Sequence, residues 1–186
     1  MKRMGKAYIE GEVIGVYYGT KTLLLTCLAT MLVGSALHFL YSSVPGAVNA
    51  LVSPVNESLW EHVKIVFWPY LLAAVWLNRG RPGGIHPWLL ALPLMCLVML
   101  LLGYLYHITL GGEAMWVDIA IYVLVMVLGF WLPTQFSGPF QGIKWMLPVA
   151  AVLVLGILLA VFTLWPPKHI LFVDLSSASA WFQIPC

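Results

Sequence analysis

Long apolar runs broken by short polar interruptions fill most of this chain. Five of them, at 22–41, 57–77, 88–108, 115–136 and 145–165, are each about 20 residues long, enough for an α-helix to cross roughly 30 Å of hydrocarbon. None shows the period-two alternation of a half-buried strand. The pattern therefore predicts an all-α, polytopic transmembrane bundle of five helices forming a single domain over 1–186. The connections are short except at 42–56, where Pro45, Gly46, Asn49 and Pro54 mark turns. An interfacial or re-entrant piece is expected at 45–55, a helix start capped by Asn56 or Ser53 after it, and an irregular tail at 166–186.

The second run is the exception to the apolar rule. Its charge-free part, 65–77, spans only about 20 Å at 1.5 Å per residue, short of the membrane core. Glu57, Ser58, Glu61, His62 and Lys64 are thus expected inside protein or beside a water-filled cavity, because each charge facing lipid costs about 2.5–3.5 kcal/mol. If all five are helical, they share one face of about 160°. Glu61 and Lys64, three apart, are placed to neutralise each other.

Composition narrows the class. The chain is 62% hydrophobic and 9% charged, far from a soluble domain, and its net charge of +2 is too small for a nucleic-acid stripe. Cys27 and Cys96 sit in apolar runs as small fillers, so with Cys186 they make no disulfide framework. The first run follows a basic start like a signal peptide but is too long for one, and is read as a retained helix.

Charge also sets orientation. Lys2, Arg3, Lys6, Lys21, Arg79, Arg81 and Lys144 fall on one side of a five-helix arrangement, against Lys64 and Lys168 on the other. Basic residues stay on the cytoplasmic side, so the N-terminus is expected inside and the C-terminus outside. Trp76, Trp88, Trp131 and Trp145 would ring the inner interface, and Tyr41, Trp60, Tyr106, Trp116 and Trp165 the outer one.

The outer half then collects the chemistry: His38, Asn56, Glu57, Ser58, Glu61, His62, Lys64, His107, Glu113, Asp118, His169 and Asp174. His38, His62, His107 and Asp118 are candidate ligands for zinc or another divalent metal, because imidazole and carboxylate suit such ions. Glu61 is the candidate base and Ser58 a hydrogen-bonding helper. Asn56, Glu57, Ser58, Glu61, His62, Lys64 and Asp118 form the expected pocket.

The block Pro54-Val55-Asn56-Glu57-Ser58-x-Trp60-Glu61-His62-x-Lys64 is preceded by His38-Phe39. It is followed by Tyr106-His107, Asp118-Ile119-x-Ile121-Tyr122 and Phe162-Thr163-x-x-Pro166-Pro167. Together these resemble an uncharacterised bacterial family of integral membrane proteins, a domain of unknown function. The resemblance implies a multi-pass protein of the bacterial inner membrane and supplies no activity. The tail departs from the family pattern in having Leu175 after Asp174 where Pro is expected.

A much weaker likeness is to the seven-helix hydrolase superfamily of alkaline ceramidases and progestin and adiponectin receptors. Ser58 and His62 match its Ser-x-x-x-His pair and Asp118 its Asp, but the chain has no His-x-x-x-His pair and two helices fewer. Three functions are expected from these residues, in this order. The first is binding of a ligand, lipid head group or partner subunit (a second copy included) in the outer pocket. The second is metal-dependent hydrolysis of a lipid amide or ester. The third is proton-coupled transport.

Overall fold

The computed structural model describes residues 18–81, 83–138 and 140–177, and its regular elements are helical. Four long helices, α1 (Thr20–His38), α5 (His86–Gly103), α6 (Met115–Trp131) and α7 (Met146–Leu164), pack with a fifth, α4 (Leu59–Leu77). Two short helices, α2 (Leu40–Ser43) and α3 (Ala47–Val52), form the long connection between α1 and α4. Helix α5 continues through a π-helical turn, Tyr104–Thr109, and 3-10 turns extend α6 and precede α7. The segments Thr20–His38, His86–Thr109, Met115–Gln135 and Ile143–Leu164 are long and apolar enough to cross a membrane.

Helix α4 differs from these four in being the most buried. Thirteen of its nineteen residues are buried, against three each in α1 and α7. Outer helices turn leucines, valines and isoleucines such as Leu24, Leu28, Leu97, Val127, Leu153 and Ile157 outward, as a lipid solvent requires. A helix enclosed by its neighbours is free to carry polar groups, provided each finds a partner. Its close approach to the others depends on small residues. At Gly34 of α1 an added Cβ would collide with the Tyr122 hydroxyl of α6 and the Ile65 carbonyl of α4, so three helices meet there. Gly156 of α7 lies against Phe67 of α4, which places this small residue in packing within the chain.

Two tryptophans leave the expected interfacial belts. Trp88 is fully buried with Tyr70 and Phe130 at ring separations of 5.7 and 5.4 Å, its Nε1 donating to the Tyr18 hydroxyl. Trp60 is buried between Phe162 and Phe172. Both are interior packing residues, because each ring has aromatic partners on neighbouring segments and gains more by burial than by sitting at a head-group layer. Trp76, Trp116, Trp131 and Trp165 are exposed as a belt requires. Lys2, Arg3, Lys6, Trp181, Phe182 and Cys186 lie outside the described residues.

The connection between α1 and α4 folds back over the start of α4. Ser53, completely buried, donates to the Leu37 carbonyl and accepts from the Tyr41 amide, stitching the end of α1 to this segment. Trp68 donates to the Leu51 carbonyl, and Lys64 to those of Ala50 and Ser53. A cation thus satisfies the orphan carbonyls at the C-terminus of α3, where the helix dipole favours positive charge.

Candidate functional site

The cap of α4 organises the site. Ser58, not Asn56 or Ser53, is its N-cap: the Ser58 Oγ accepts from the Glu61 amide at 3.3 Å, while Asn56 Oδ1 accepts from the Ser58 amide. Helical geometry therefore begins at Leu59, and Glu57 belongs to the preceding loop. The single polar face expected over 57–64 does not form, because Glu57 and Ser58 are not on the helix. The polar side chains divide into two groups instead.

The first group is enclosed. Lys64 is fully buried and its Nζ reaches three oxygens, Glu61 Oε2 at 2.5 Å, Ala50 O at 2.7 Å and Ser53 O at 3.3 Å, which match its three protons. Glu61 Oε2 also accepts from the Val55 amide, and Oε1 lies 3.3 Å from the Thr163 hydroxyl of α7. Neither side chain lines the cavity described below. The arrangement pins the loop over α4 and ties α4 to α7.

The second group faces a cavity of about 900 Å³ between α1, α4, α5 and α6. His38, the last residue of α1, and His62, one turn into α4, point their Nε2 atoms at each other 3.1 Å apart. Glu57 Oε2 lies 3.2 Å from the His62 Nε2 and 3.6 Å from that of His38. Hydrogen bonds from the two imidazoles, His38 foremost, hold the Glu57 carboxyl well below the usual carboxylate range. The far nitrogen of His62, Nδ1, donates to the Ser58 carbonyl at 2.8 Å, leaving the lone pair of the neutral ring on Nε2.

Across the cavity stands a separate pair. The π-helical turn at the end of α5 widens the helix and presents His107, whose Nε2 meets Asp118 Oδ1 of α6 at 2.7 Å. Its Nδ1 lies 2.8 Å from the Gly112 carbonyl. Both nitrogens face acceptors, so the ring satisfies both only by donating from each. His107 and Asp118 are therefore hydrogen-bonded to each other and do not join His38 and His62 in one cluster. Glu57, expected only as a pocket residue, takes the third place beside the two histidines; its position in the block with His62 was the only signal for it.

The remaining wall is mostly apolar: Leu59, Ile65, Met99, Met115, Ile119 and Ile121, with Gly103 and Tyr122. Leu175, Ser176 and Ser177 of the tail also line it, so the described part of the tail reaches the cavity. His169 and Asp174 do not; they bond to their own turns, through the Leu171 amide and through Ser176.

A family model, that of the family of unknown function DUF6512, matches residues 16–180. The chain belongs to this family. The match spans α1 to the tail, so every side chain of the cluster described above lies within it. No curated protein and no solved structure matches the chain at a significant level.

Proposed function

We propose that this protein crosses the bacterial cytoplasmic membrane five times, N-terminus inside and C-terminus outside, and binds an amphiphile with its polar head at the His38–Glu57–His62 end of the cavity. Five crossings follow from taking α4 as a span: it is as long as α1 and α7, and its charges are withdrawn from lipid. Lys21, Arg79, Arg81 and Lys144 at one end of the bundle support the orientation.

One observation carries the binding reading: a single cavity joins ionisable groups, His38, Glu57, His62 and Asp118 among them, to a mostly apolar wall. Its volume of about 900 Å³ is at the upper end of the range for small-molecule sites. An amphiphile from the surrounding bilayer has the same polarity gradient.

The cavity does not suggest transport. Its lining ends at Ile65, Met99 and Tyr122, beyond which the core consists of Phe67, Met95, Cys96 and Val125. Among the described residues, these four offer no polar path toward the other face.

The test is photo-labelling in membranes with a lipid carrying a diazirine in its chain, followed by peptide mapping. Adducts on Ile65, Met99, Ile121 or Tyr122 are expected. Adducts confined to outward residues such as Leu28 and Ile157 would sink the reading.

A further inference from the structure

We infer that His38, Glu57 and His62 form a binding site for a divalent transition metal, best matched by zinc, with three protein ligands and a fourth position open to the cavity.

The starting point is the orientation of three ligand atoms. Nε2 of His38, Nε2 of His62 and Oε2 of Glu57 face one another at 3.1, 3.2 and 3.6 Å. Tetrahedral zinc with bonds of about 2.0–2.2 Å places neighbouring ligand atoms about 3.3–3.5 Å apart. The three separations straddle that value. By contrast, the 2.7 Å contact of His107 with Asp118 is a direct hydrogen bond and too short to span an ion.

Two neutral rings satisfy the triad poorly. The Ser58 carbonyl takes the Nδ1 proton of His62, so in the neutral ring Nε2 presents a lone pair. It faces a carboxylate and another imidazole nitrogen. With both rings neutral, one proton bridges one of these three pairs and leaves the remaining atom opposite lone pairs, whereas a cation at the centre is attracted by all three. A backbone carbonyl on the far nitrogen is also the usual device by which proteins fix the tautomer of a ligating histidine.

The ligand set selects the ion. Two imidazoles and one carboxylate suit zinc and its transition-metal neighbours, while magnesium and calcium prefer all-oxygen shells. Two neutral rings and one anion leave a divalent ion with a net charge of +1. Three protein ligands with an open position characterise zinc sites that bind or activate a further group; structural sites are closed by four. The ligands come from the end of α1, the loop and α4, and all three line the cavity. The open position therefore takes water or an anionic oxygen. That this oxygen belongs to the head of an amphiphile is a further step, which rests on the binding reading above.

The experiment is metal titration of full-length protein in detergent, stripped with chelator and loaded with Zn²⁺ or Co²⁺. One ion per chain is expected, with the visible bands of four-coordinate cobalt. Glu57→Gln should weaken Zn²⁺ binding at least tenfold, and His38→Ala and His62→Ala should weaken it at least a hundredfold. Asp118→Asn should retain one ion per chain. Because Glu57 lies on the loop and is about half exposed, Glu57→Gln is the variant least liable to disturb folding. Wild-type protein that takes up no Zn²⁺ or Co²⁺, or that binds them equally well as Glu57→Gln and His62→Ala, would overturn the site. Cavity labelling by lipid without metal uptake would overturn the metal site alone, and metal uptake without labelling would overturn only the amphiphile reading.

Discussion

Glu61 and His62 are adjacent on α4, yet their side chains serve opposite surroundings: Glu61 meets Lys64 beneath the α3 loop, and His62 meets Glu57 and His38 at the cavity. At 100° per residue a helix turns neighbours apart. One turn of α4 thereby supports both a buried ion pair and the cluster of His62 with Glu57 and His38.

The ion pair should be costly to break from one side. Lys64→Met leaves the Glu61 carboxylate and the Ala50 and Ser53 carbonyls without their lysine donor in a buried site. A loss of about 3–5 kcal/mol is expected, the usual cost of orphaning a buried charge. Glu61→Gln should cost somewhat less, and the double variant Glu61→Gln, Lys64→Met less than the two single losses added. Thermal unfolding of the four proteins in one detergent tests this; strict additivity would mean that the pair is not coupled.

Ser58 should matter for stability and not for the cavity. Its hydroxyl caps α4, but the atom that orients His62 is its carbonyl, which any residue supplies. Ser58→Ala is expected to cost about 1 kcal/mol and to change Zn²⁺ affinity less than threefold. A large loss of metal at unchanged stability would return the hydroxyl to a chemical role.

The His107–Asp118 pair should contribute modestly. Asp118 is 41% exposed, so solvent screening limits a bond that would be stronger if buried. A double-mutant cycle with His107→Ala and Asp118→Ala should give a coupling of about 1 kcal/mol. A coupling near zero would mean that the two side chains do not meet in solution.

Much of this was legible in the sequence, for a physical reason. Lipid-facing helices must be apolar nearly throughout, so runs at 22–41, 88–108, 115–136 and 145–165 announced α1, α5, α6 and α7. The charges at 57–64, intolerable in lipid, announced that α4 is enclosed. What the sequence concealed depends on the loop between α1 and α4. Ser58 competes with Asn56 and Ser53 for the cap, and only the folded loop puts Glu57 outside the helix, beside His38. Burial of Trp60 and Trp88 likewise depends on aromatic partners far away in the chain.

The crossing of α1, α4 and α6 yields the last prediction. At Gly34 the helices are so close that Tyr122 donates through its hydroxyl to the Met31 carbonyl across the gap. Any side chain at position 34 must push apart α1, which ends in His38, and α4, which carries His62. Gly34→Ala should therefore destabilise by about 1–3 kcal/mol, as overpacking does, and also weaken Zn²⁺ binding by separating ligands that stand 3.1 Å apart. Gly156→Ala, where a Cβ would meet only the edge of Phe67 at 3.3 Å, is the control. It disturbs α4 against α7 and should leave Zn²⁺ affinity unchanged. Equal effects of the two substitutions on metal binding would show that the α1–α4 approach does not set the geometry of the histidines.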